Sequence, residues 1–88
     1  MGVRVAGEVD LSNRDLLLRL VQSRAAVEHR LRLDLGELRF VDVGTLAGLC
    51  HIADRLPEDG YLLLDRVPQR VRRLIEIAGL GHERLQLG

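Results

Sequence analysis

Two hydrophobic rhythms take turns along this chain, and their alternation restricts its fold more than any other feature. Leu31, Leu33 and Leu35 alternate with Arg30, Arg32 and Asp34, the period-2 pattern of a strand with one face in a core. Val3, Val5 and Val9 share one parity in the same way, and Gly7 interrupts them as a bulge or a close backbone approach would. Helical spacing fills the stretches between. Ser12 with Asp15 three residues on resembles a capping box. Leu16, Leu17, Leu20 and Val21 then mark an apolar face, with Arg14, Arg19 and Gln22 outside, in a helix running to about Ala26. The Leu31 strand ends at Gly36 and leads through a loop, Glu37 to Val41, into a second helix from about Val43 to Leu56, which Pro57 and the turn Glu58-Asp59-Gly60 stop. Tyr61 to Leu64 is long enough only for a strand. Pro68 suits the first position of a third helix, with Val71, Leu74, Ile75 and Ala78 inward and Gly79 as its C-terminal cap. Leu85 and Leu87 around Gln86 make a last edge strand.

The order β-α-β-α-β-α-β implies one α/β domain: a small, mixed or mostly parallel four-stranded sheet whose crossover helices lie mainly on one face. At 88 residues there is room for a single core, which Leu, Val and Ile must fill because Phe40 and Tyr61 are the only aromatics. Thirteen basic residues balance thirteen acidic ones, which argues against a nucleic-acid partner, since such affinity rests on summed phosphate neutralisation. Cys50 is alone, so an intramolecular disulfide is excluded, and no apolar run is long enough to insert in a bilayer. A cytoplasmic protein is expected.

Candidate chemistry gathers where the first two strands end. Asp10 and Asp42 both fall at strand ends and should lie near each other. Paired carboxylates invite acid/base or Mg²⁺ chemistry, but Asp42 immediately precedes the second helix and reads better as its N-cap. On a helical wheel Leu46, Leu49, Cys50, Ala53 and Leu56 face the sheet, so Cys50 reads as an inert core thiol. Gly44, Ala47, Gly48, His51 and Arg55 lie opposite, with Val43 at the border. Two glycines in a helix cost about 1 kcal/mol each relative to Ala. Either a partner approaches this small-residue strip closely, or the glycines pack against another part of the domain. His29, His51 and His82 lack metal-ligand spacing, no glycine-rich phosphate loop follows a strand, and no nucleophile–base pair is present, so neither metal, cofactor nor catalysis is expected. Arg70, Arg72 and Arg73, with Arg66 ahead of them, read as a solvated helix face in preference to an anion site.

Gly7-Glu8-Val9-Asp10 together with Phe40-Val41-Asp42-Val43-Gly44-Thr45-Leu46 resembles the STAS domain of bacterial anti-sigma factor antagonists, and the likeness runs from about Val3 to Leu87. The family usually places one more strand ahead of the one that opens this sequence, which implies a trimmed fold or a domain cut from a longer protein. The resemblance implies a non-catalytic module that docks an anti-sigma factor of the kinase-like ATPase class through Asp10, Ser12 and Asn13 and through Asp42, Val43, Gly44, Thr45, Ala47, Gly48 and His51. In that family the residue after the Asp is a Ser or Thr that the partner phosphorylates. Val43 has no hydroxyl, so this switch is lost, and Thr45 and Ser12 are poor substitutes as acceptors. The domain would then be constitutively competent, controlled by abundance or by an attached domain, or repurposed as a scaffold; a weak homo-oligomer is a separate expectation. An alternative from the same resemblance is an accessory of a membrane transporter, either an ABC-type lipid importer or an anion transporter.

Overall fold

A computed structural model describes residues 2–88, leaving Met1 outside the described residues. Four strands, β1 (Gly2–Val9), β2 (Arg30–Val41), β3 (Tyr61–Asp65) and β4 (Leu85–Leu87), alternate with three helices, α1 (Arg14–Val27), α2 (Val43–Asp54) and α3 (Gln69–Ile77). The strands lie side by side in chain order and every pair is parallel. Right-handed crossovers between successive neighbours carry all the helices to one face of such a sheet. Burial follows. Val5, Leu31, Leu33, Leu62, Leu64 and Leu85 point into the core with Val21 and Ala25 of α1, Leu46, Leu49 and Ala53 of α2, and Val71 and Ile75 of α3. A lattice of ion pairs dresses the other face and its margin: Arg4–Glu37 at 3.1 Å, Arg32–Asp65 at 3.2 Å, and Arg66 on both oxygens of Asp34 at 2.9 and 3.0 Å.

β2 does not stop at Gly36. It continues to Val41, because β1 goes on pairing with it through two irregularities, one between Arg4 and Ala6 and one between Gly7 and Glu8. Each places an extra β2 residue opposite β1, so the inward side chains after Leu35 are Leu38 and Val41, three apart instead of two. That spacing hides the strand from a period-2 reading. Gly7, at φ 82°, sits at the second irregularity, as its position in the pattern suggested.

The face of α1 is also turned from the expected one. Val21 and Ala25 are buried, Leu17 and Leu18 are partly buried, and Arg14 is drawn inward, while Leu16 and Leu20 are 74% and 46% exposed. The helix begins two residues after Ser12, with Asn13 at its N-cap position and no side-chain cap bond. Cys50 is half-buried on the margin of the core, and burial raises its thiol pKa. α3 stops at Ile77, so Ala78 is its exposed C-cap and not an inward residue, but Gly79 caps the helix as expected: it takes φ 68°, its N–H donates to the carbonyl of Glu76 and the next N–H, of Leu80, to that of Ile75, which together complete a Schellman motif. Three of the four arginines around α3 are occupied within the domain. Arg70 donates to the carbonyls of Leu38 and Arg39, Arg72 to that of Gly88, and Arg66 is held by Asp34.

Candidate functional site

The register that sets Val9 opposite Val41 delivers Asp10 and Asp42 side by side at the C-terminal edge of the sheet. Each then organises its own turn. Asp42 is the N-cap of α2: its Oδ1 accepts from the Thr45 backbone N–H at 2.8 Å and from the Thr45 hydroxyl at 2.6 Å. Its Oδ2 accepts from Arg14 Nη2 at 2.9 Å, which ties the first turn of α1 to that of α2. These bonds, the Thr45 hydroxyl foremost, hold the Asp42 carboxyl below its ordinary pKa against a smaller opposing effect of burial. Asp10 Oδ1 accepts from the Ser12 hydroxyl at 2.6 Å and the Ser12 N–H at 2.9 Å, which lowers its pKa also, while the nearby Asp42 charge works the other way. Asn13 turns inward: its Oδ1 accepts from the Asp10 N–H and its Nδ2 donates to the Glu8 carbonyl, both at 2.8 Å.

This geometry divides the expected docking residues. Thr45 is fully buried, with its hydroxyl committed to Asp42, so it is neither a contact nor an acceptor. Ser12 is exposed but is not a helix cap, since its hydroxyl serves Asp10. The two glycines are taken up inside the domain. A Cβ on Gly44 would lie 2.8 Å from the Arg14 guanidinium, and one on Gly48 would lie 2.6 Å from Leu18 Cδ1. The small-residue strip is therefore largely the α1–α2 contact. Val43, at the first position of α2, is 43% exposed, Leu11 is 78% exposed, and Ala47 and His51 face solvent one and two turns further on. An apolar tip remains, set in a frame of short hydrogen bonds.

Arg14 and Leu11 are the residues the sequence reading missed. A positive charge in the first turn of a helix opposes the helix dipole, so it signals a carboxylate close by. Leu11 carries no such signal, because its exposure is decided only by the turn that Asp10, Ser12 and Asn13 build. Among the described residues no group of three or more His, Cys, Asp or Glu side chains could hold a metal ion, and no helix is long and apolar enough to cross a membrane.

Comparison with known proteins agrees with this architecture. The structure of the anti-sigma factor antagonist SpoIIAA in its unphosphorylated form superposes with a TM-score of 0.69 over 99% of this chain and 77% of that one, at 19% sequence identity. No curated protein matches. The family model described as "Mlab, STAS domain" matches residues 1–87. With that match over nearly its whole length, the chain belongs to the STAS domain family.

Proposed function

We propose that the domain is a non-catalytic regulatory module that docks an anti-sigma factor of the kinase-like ATPase class through the Asp10–Asn13 turn and the start of α2. The observation that carries this reading is Val43: a half-exposed apolar residue on the first turn of α2, at a helix start that hydrogen bonds among Asp42, Thr45 and Arg14 tie together, with exposed Leu11 on the Asp10–Asn13 turn. A preorganised apolar tip keeps down the ordering cost of association. The structural likeness to an unphosphorylated anti-sigma factor antagonist supports the partner class. In a switched member, phosphorylation at this position adds a charge of about −1.5 to −2. Val43 cannot accept it, so the docking tip stays permanently in its binding form.

Substitution at Val43 tests this directly. A helix N-terminus accommodates an acidic residue, so Val43→Asp folds and melts as the parent does, while an unpaired charge buried in the contact lowers affinity by about a hundredfold or more. Val43→Ser binds like the parent and becomes a phosphoacceptor when the partner is a kinase. Calorimetric titration of the three forms against an anti-sigma factor reads the effect, and unchanged affinity for Val43→Asp moves the docking surface elsewhere. A second reading keeps the same tip and exchanges the partner for the ATPase subunit of a lipid importer. It is favoured by the family model's Mlab description and by the missing hydroxyl, and titration against that subunit separates the two.

A further inference from the structure

Between the C-terminal halves of α1 and α2 lies a groove with no role so far. Leu18 sits against Gly48, and beyond that close approach the two helices flank a groove of about 460 Å³. Small-molecule sites span about 300–1,000 Å³. Buried Ala25 and Leu56, with half-buried Leu18 and Ile52, make its apolar floor. Gln22 and His29 stand exposed on the α1 side, and His51 and Arg55 on the α2 side. His51 and Arg55, one helical turn apart, are surface neighbours. The backbone beneath these side chains is tied down: the His29 carbonyl accepts from the Tyr61 N–H at 2.9 Å, and the Leu56 carbonyl accepts from Arg84. Arg55 lies about 18 Å along α2 from Val43, at a rise of about 1.5 Å per residue, so the groove is a different place from the docking tip.

The charge of this groove is one-sided. No Asp or Glu lines it among the described residues, although acidic and basic residues are equal in number over the sequence. The nearby acids are turned elsewhere: Glu28 pairs with Arg24, Asp54 with His82 and Asp59 with Arg30, and Glu58 lines a separate hollow with Tyr61 and Arg84. The side chains of His29, His51 and Arg55 have no hydrogen-bond or ion-pair partner among the described residues. Cations suit the last turn of a helix. That accounts for His51 and Arg55, but not for His29 across the groove or for the apolar floor between them. We propose that the groove binds a small amphipathic carboxylate, with its apolar body on the floor and its head on Arg55. A guanidinium takes a carboxylate bidentately, and each neutral imidazole adds one N–H donor. The carbonyl ends of α1 and α2 oppose an anion, so the permanent charge of Arg55 decides the preference.

Decanoate is the probe, with decanol and decyltrimethylammonium as neutral and cationic controls of the same chain length. In an NMR titration of the ¹⁵N-labelled chain, decanoate should move the amides of Ala26, His29, Gly48, Ile52 and Arg55 saturably and leave those of Val43 and Gln86 in place. Decanol should bind about tenfold more weakly, since it lacks the charged hydrogen bonds, and the cation more weakly still. Arg55→Gln should reduce decanoate to the level of decanol. Ala26→Phe, which sets a ring into the groove from an exposed position, should abolish the shifts with either ligand. Both variants replace solvent-facing side chains, and an unchanged far-UV spectrum and melt confirm their fold. Absence of saturable shifts around the groove overturns the proposal. Equal affinity for the three probes, or for the parent and Arg55→Gln, overturns the recognition of a carboxylate. Shifts that persist in Ala26→Phe place the binding elsewhere and overturn the site.

Discussion

Thr45 shows how a single hydroxyl fixes the form of the docking tip. Buried completely, it gives its proton to Asp42 Oδ1, and that carboxylate in turn holds Arg14 and the first turn of α2. Thr45→Val keeps the shape and removes the bond. A hydrogen bond to a charged group contributes about 1.5–3 kcal/mol, so urea denaturation should show a loss at the lower end of that range, because the Thr45 N–H still reaches the same oxygen. The Asp42 carboxyl should move back toward its ordinary pKa, visible as a shifted titration midpoint of its side-chain carbon resonance. A variant as stable as the parent, with that midpoint unmoved, would show that the hydroxyl does not hold the cap.

At the scale of elements, α2 carries two adjacent small residues with opposite duties. Gly48 lies under Leu18 of α1, whereas Ala47 faces water beside the apolar tip. Gly48→Leu forces the helices apart, and overpacking of this kind costs about 1–3 kcal/mol. Ala47→Leu leaves stability within about 0.5 kcal/mol, as surface changes usually do, yet obstructs whatever docks on α2. Thermal melts and partner titration on both variants separate packing from binding; equal effects on stability would mean that the two faces are misassigned. What was legible in the sequence follows the same division. The start of α2 and its Asp42 cap are local, written in consecutive residues, and they stand where the pattern placed them. The far half of β2 was not legible, because its bulges depend on β1 and replace alternation by a spacing of three. Nor was the true inward face of α1. Four leucine and valine positions at helical spacing give a direction, but Gly44 and Gly48 on α2 decide which flank of α1 comes close.

The whole molecule balances a core covered by helices on one side with an outer sheet face dressed in ion pairs, and this makes its acid response specific. Asp42, Asp34 and Asp10 all have depressed pKa values, owing first to the Thr45 hydroxyl, the Arg66 guanidinium and the Ser12 hydroxyl respectively. A carboxylate with a folded pKa below its unfolded value of about 3.9 adds stability above that value and loses it as pH falls through the folded one. The urea midpoint should therefore hold steady from about pH 7 to 5 and fall below about pH 4. Solvent screens the Asp34 pair, whose Arg66 side chain is 58% exposed, more than the Asp42 pair, whose Arg14 is 27% exposed, so most of the slope belongs to Asp42. Asn also caps helices well, so Asp42→Asn keeps the α2 start but gives up the charged partner of Arg14. Its urea midpoint should lie below the parent's at neutral pH and approach it as the pH drops, while Asp34→Asn leaves most of the acid slope in place. Parallel curves for the parent and Asp42→Asn would show that the acid sensitivity lies in the outer lattice and that the bridge between the two helix starts contributes little to the fold.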